Sequence, residues 1–169
     1  MSKHRSVGAA LTAKRSRVLA SLAVGVAVAI GTTGCSMIST QATTIEYNAS
    51  DGVAADAGPI EVRNALVVAT EDGSAGNMLA AIVNSTDNSE TLTIEIGEGS
   101  SKVTETLQVP ANSVVSLGAD GEEPLLIEAL DTMPGADVPV YFQAGDAEGS
   151  LVAVPVLDGA LEYYAPFVP

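Results

Sequence analysis

The chain has 169 residues, is 47% hydrophobic and 4% aromatic with no Trp, and carries a formal net charge of −14. That acidity excludes nucleic acid as a partner, because binding a phosphate backbone needs a basic patch that displaces counterions. The only histidine is His4 and the only cysteine is Cys35, so Ser-His-Asp catalysis, Cys-His catalysis and His/Cys zinc sites are ruled out for everything that follows Cys35.

Residues 1–17 contain Lys3, Arg5, Lys14, Arg15 and Arg17 and no acid. Val18 to Ile30 are thirteen uncharged, mostly apolar residues. A basic region, a short apolar core and small residues in this order read as a secretory signal. The run falls short of the roughly 20 residues that a membrane-spanning helix needs. The stretch "GTTGC", Gly31 to Cys35, resembles a bacterial lipobox, with the small Gly34 before the cysteine and Thr32 where Leu is usual. The resemblance implies that Cys35 receives a diacylglycerol and becomes the mature N-terminus. The protein is then expected to be exported and held by lipid on the outer face of the cell membrane. A single cysteine in an exported chain has no internal disulfide partner, and two acyl chains supply the two signals that stable anchoring needs. The competing reading is a plain secretory signal with an incidental cysteine.

Cleavage before Cys35 leaves enough chain for one domain. All 21 acids follow Cys35, and Arg63 and Lys102 are the only cations there, a net charge of about −19. Such a charge keeps an exported domain soluble and disfavours contact with anionic headgroups. The acids do not follow the spacing of an EF-hand loop. From Ser36 to Gly58 the residues are small and polar. They read as a tether, with Tyr47 and Val53 docking on the domain edge. The predicted organisation is a signal over residues 1–34, a flexible tether over 35–58 and a folded domain over 59–169.

After Pro59 the chain becomes a series of short β-branched runs between turn residues. Ile60 to Ala69 alternates at first and then turns fully apolar. Asn77 to Asn84 reads as a buried strand. In Glu90 to Gly97, Leu92, Ile94 and Ile96 lie on one face and Thr91, Thr93 and Glu95 on the other. Lys102 to Val109, Ser113 to Gly118, Pro124 to Leu130, Val138 to Gly145 and Leu151 to Leu157 follow. This is about eight strands at roughly ten-residue spacing, without helical periodicity, and it predicts an all-β, two-sheet antiparallel sandwich. Pro139 and Pro155 inside strands predict edge positions or bulges, since proline cannot donate to a ladder. Tyr163, Tyr164 and Phe167 cluster at the end. They read as a tail packed over the sandwich edge or, alternatively, as an exposed patch for a partner.

The run "IEVRNALVVAT", then "AAIVNSTDNSETL", "LQVPANSVVSLGADG", "LLIEALDTMPGADVPVYFQ" and "LVAVPVL", is similar to the periplasmic copper chaperones of the PCuAC type over about residues 60–156. Together with Cys35 and the acidic domain, it also resembles small surface lipoproteins of actinobacteria. The resemblance implies a cupredoxin-like sandwich of about 7–8 strands. It does not carry over the copper ligands, two His and two Met in that family. The stretch in the ligand position has Glu123, Pro124, Leu125 and Leu126, and Gly97 to Thr106 has neither residue type.

These observations predict a non-enzymatic, lipid-anchored envelope domain, without a cofactor, that binds or helps to assemble another envelope protein. The alternative is a copper-binding chaperone that uses Met78 and Met133, or a site completed by a partner, since thioethers are soft ligands for Cu(I). Met78 lies in a buried-looking strand and Met133 in a loop, where core filling and loop roles are the competing readings. An enzyme that uses paired carboxylates on wall polymers is the weakest reading, because the acids are scattered and no Trp is present to stack sugars.

Overall fold

The computed structural model describes residues 20–25, 49–99 and 102–169. Cys35, the expected cleavage point and most of the expected tether lie outside these residues. Residues 20–25 are helical, and no helix among the described residues is long and apolar enough to cross a membrane.

Short β-branched runs separated by Gly, Pro and Asn turns form strands here, nine among the described residues. They are β1 (Val53–Ala57), β2 (Ile60–Ala69), β3 (Gly76–Asn84), β4 (Glu90–Ile96), β5 (Val103–Val109), β6 (Ser113–Leu117), β7 (Leu125–Ile127), β8 (Asp137–Ala144) and β9 (Ser150–Leu157). Eight of them coincide with the predicted runs. The ninth, β1, lies in the stretch expected as tether. Its small residues give no hydrophobic signal, yet it pairs antiparallel with β2 and buries Ala55 and Ala57. The folded domain therefore starts ahead of Pro59, and residues 53–57 belong to the sheet rather than to the tether.

The strands form two layers. One sheet runs β5-β4-β8-β9, and the other is built on β2 and β3. Along one side of β2 come first β1 and then the end of β9. Along the far side of β3 come β7 and then β6. Strand β9 joins the layers. It pairs antiparallel with β8 from Ser150 to Pro155, and then Val156 and Leu157 pair parallel with Val67 and Val68 of β2. This one parallel pair departs from the all-antiparallel arrangement expected. At the other end the short connection Pro110 to Asn112 brings β5 and β6 into contact, so the all-β sandwich is nearly closed as a barrel.

Neither proline lies on an edge strand. Pro139 sits in β8 just past the end of β4, where its carbonyl accepts from the Gly97 amide at 2.9 Å. Pro155 sits where β9 leaves β8 for β2. Each missing N–H falls at the end of a ladder, so the sheet loses little.

Alternation fills the interior. Leu92, Ile94 and Ile96 of β4, Val140 and Phe142 of β8, and Met78 and Ile82 of β3 are all buried. Burying each such side chain is worth roughly 1.5–3 kcal/mol. Strand β2 breaks the rule. Asn64 takes a left-handed conformation (φ 53°) and the register with β3 shifts between Arg63 and Leu66, the mark of a bulge. Ile60 and Val62 before it, and Ala65, Val67 and Ala69 after it, all face the main core. Leu66 and Val68 point to the outer face and join a second, smaller cluster.

Candidate functional site

The stretch that the resemblance puts in the ligand position holds one carboxylate, Glu123, and three residues without a ligating side chain, Pro124, Leu125 and Leu126. Leu125 and Leu126 lie in β7 opposite Met78 and Asn77. Met78 is wholly buried in the core, whereas Met133 is 62% exposed on the loop before β8. The fold does not bring the two thioethers into one environment. Among the described residues no group of three or more His, Cys, Asp or Glu is placed to hold a metal ion.

Asn84 is the only buried polar or charged residue among those described. Its amide Nδ2 donates to the carbonyls of Asn88 at 2.8 Å, Val109 at 3.1 Å and Pro110 at 3.1 Å. Its Oδ1 accepts from the amide of Thr86 at 3.0 Å and from its hydroxyl at 2.8 Å. One side chain thus ties the β3–β4 loop to the β5–β6 corner. A buried amide satisfied in this way holds structure, and no group is left over for chemistry.

The two cations of the folded domain are engaged in ion pairs. Arg63 donates to Asp56 at 2.7 Å and to Glu61 at 2.8 Å, which raises its pKa, chiefly through the hydrogen bond to Asp56. Lys102 pairs with Glu95 at 2.8 Å on the other sheet. In the β2–β3 turn, Asp72 accepts from the hydroxyls of Thr70 at 2.7 Å and Ser74 at 2.8 Å. These bonds hold its carboxyl down at about 2. They serve the turn, and Asp72 is fully solvated.

The C-terminal segment holds the remaining unusual features. After β9 the chain turns back over the outer face of β2 and β3 and ends in a 3-10 turn at Ala165–Phe167. Tyr164 is buried there with Leu66 and Val68, and Leu79, Leu157 and Phe167 pack around them. The Tyr164 hydroxyl donates to Asp51 Oδ2 at 2.9 Å. Burial, followed by that carboxylate, pushes the phenol up to about 12. Asn77 Nδ2 donates to the Phe167 carbonyl at 3.0 Å. Gly118 (φ +80°) sits beneath this segment, where an added Cβ would run into Leu79 and meet Phe167 Cε1 at 3.3 Å. The tail is thus packed onto the sheet, as one of the two sequence readings expected. Tyr163 is the exception: it is 59% exposed and stands edge-on to Tyr164 with ring centres 4.5 Å apart. Leu161, Val168 and Met133 are exposed as well. Met133 and Val168 share an open depression of about 250 Å³ with Glu71 and Asp158.

Sequence reasoning identified the aromatic cluster but missed Asp51, Asn77 and Gly118 as its partners. The available signal was the fully apolar second half of β2, which requires a cover on both faces. No protein-family model matches this chain, and a comparison with curated proteins finds none that matches it.

Proposed function

We propose that this protein is a non-enzymatic, lipid-anchored domain of the cell envelope that binds or helps to assemble another envelope protein. In this reading its sandwich resembles a copper chaperone that has lost its ligands, and Cys35 is the lipid attachment point. The observation that carries the reading is the placement of polar groups. No carboxylate, amine or guanidinium among the described residues is buried, the buried Tyr164 phenol is tied to Asp51, and Asn84 is consumed by contacts to two loops. A carboxylate general acid needs a site that tunes its pKa, and these acids stand in solvent. Of the exposed apolar residues, Met133, Leu161, Tyr163 and Val168 lie in or beside the tail, as on an interaction surface.

The anchoring part is tested by Cys35→Ala in the producing cell. The wild-type chain is expected in the membrane fraction, with incorporated labelled fatty acid, and the variant in the soluble exported fraction. Retention of the variant in the membrane would defeat the lipoprotein reading.

A further inference from the structure

We infer that the depression beside the C-terminal tail receives a lysine or arginine side chain presented by a polypeptide partner. This rests on the binding-domain reading above and names the chemistry of the partner. The depression holds about 250 Å³, below the roughly 300–1,000 Å³ of small-molecule pockets, so it suits one long side chain. Ala69, Met133, Pro134 and Val168 give it apolar walls, and Glu71, Asp158 and Gly159 complete the lining. Lysine and arginine match such a surface, because they lay an apolar stem on hydrocarbon and keep a charged head among polar groups.

Charge complementarity selects the same partner. Arg63 is paired with Asp56 and Glu61, and Lys102 with Glu95. Neither Glu71 nor Asp158 takes part in an ion pair among the described residues. Asp158 Oδ1 accepts from the Ala160 amide at 3.1 Å, which leaves room for a further donor. Met133 at 62% exposure and Val168 at 36% offer hydrocarbon to water at the same place. An acidic partner meets repulsion here. A second mature copy brings the same acidity, with both of its cations already engaged, so a basic segment of a different polypeptide is the occupant that fits.

The test uses the full chain in detergent micelles, isotopically labelled and titrated at low salt with two blocked peptides. One is acetyl-Leu-Lys-Leu-amide, and the other has norleucine in place of lysine. The lysine peptide is expected to shift the amides of Ala69, Glu71, Met133, Gly159 and Val168, and to bind at least tenfold more tightly than the norleucine peptide. Glu71→Gln with Asp158→Asn should weaken it at least fivefold. Glu95→Gln on the opposite sheet should change nothing. Glu71 and Asp158 are exposed, Glu95 is half-buried, all three changes are nearly isosteric, and the amide spectrum itself reports that the variants fold. Equal binding of the two peptides would overturn the proposal, as would shifts elsewhere or no binding at millimolar peptide. An equal loss with Glu95→Gln would mean diffuse acidity, and concentration-dependent self-association would mean a second copy; either result overturns it. The Cys35→Ala fractionation is independent of this titration, so anchoring and the basic-partner site fail separately.

Discussion

The outer faces of the two sheets follow opposite rules. On β4, β5 and β8 the outward positions hold Thr91, Thr93, Thr106, Gln108 and Gln143, partly or fully solvated. Under the C-terminal tail, the outward positions of β2, β3 and β9 hold Leu66, Val68, Leu79 and Leu157, covered by Tyr164 and Phe167. The inward faces of both sheets are equally apolar. The difference shows that a strand apolar on both sides needs a second cover, and that this domain makes the cover from its own C-terminal end. The covered face also brings Asp51 and Tyr164, 113 residues apart in sequence, into a hydrogen bond.

The sharpest way to break this comparison is to remove one tyrosine from each face. Tyr164→Ala leaves a void among Leu66, Val68 and Phe167 and should cost about 3 kcal/mol. Tyr141→Ala on the half-exposed face of β8 should cost about 1 kcal/mol. Urea denaturation reads both, and equal losses would mean that the tail is not a true cover.

A smaller effect compares two glycines of one turn. Gly118 and Gly121 both have positive φ, +80° and +90°, but only an added Cβ at Gly118 meets Leu79 and Phe167, whereas Gly121 faces open space. Gly121→Ala should cost about 1 kcal/mol for the left-handed backbone alone. Gly118→Ala should cost about 1 kcal/mol more, because the tail face is overpacked there. Melting curves that place the two variants together would show that the tail face is loose.

The smallest effect isolates one bond. Tyr164→Phe keeps the ring and loses the hydrogen bond to Asp51, at about 1 kcal/mol. It also removes a pH dependence. The phenol is held up to about 12 in the folded chain, whereas it ionises near 10 when unfolded. Its contribution is therefore complete below pH about 10, falls as the pH rises, and is gone above about 12. The wild-type chain should lose stability across that window more steeply than Tyr164→Phe. Parallel curves for the two would show that Asp51 and the tail do not act on Tyr164.

Much of the fold was legible because a β-strand with one buried face must alternate, as Leu92, Ile94 and Ile96 do against Thr91, Thr93 and Glu95. Turn residues then marked where each strand stops. Strand β1 was not legible, because Ala54, Ala55 and Ala57 carry too little side chain to form a pattern, and their burial depends on β2 beside them. The prolines misled for a related reason. Where a ladder ends is decided by the length of the neighbouring strand, which the proline-bearing segment does not encode.

The candidate site was legible only in part. The apolar walls at Met133 and Val168 and the acids at Glu71 and Asp158 lie in four separate loops and termini. Nothing in their spacing joins them. That imidazole and thiol chemistry have no group to use after Cys35 followed from counting residues, since chemistry that needs a group cannot proceed without it. So did the all-β class, because periodicity is a local property of the chain. Which strand lies beside which, the parallel step of β9 onto β2, the cover over Leu66 and Val68, and the placing of Glu71 and Asp158 in one depression were decided by the tertiary structure alone. Each depends on contacts between distant segments, and such contacts are settled by competition for burial across the whole domain rather than by any local run of residues.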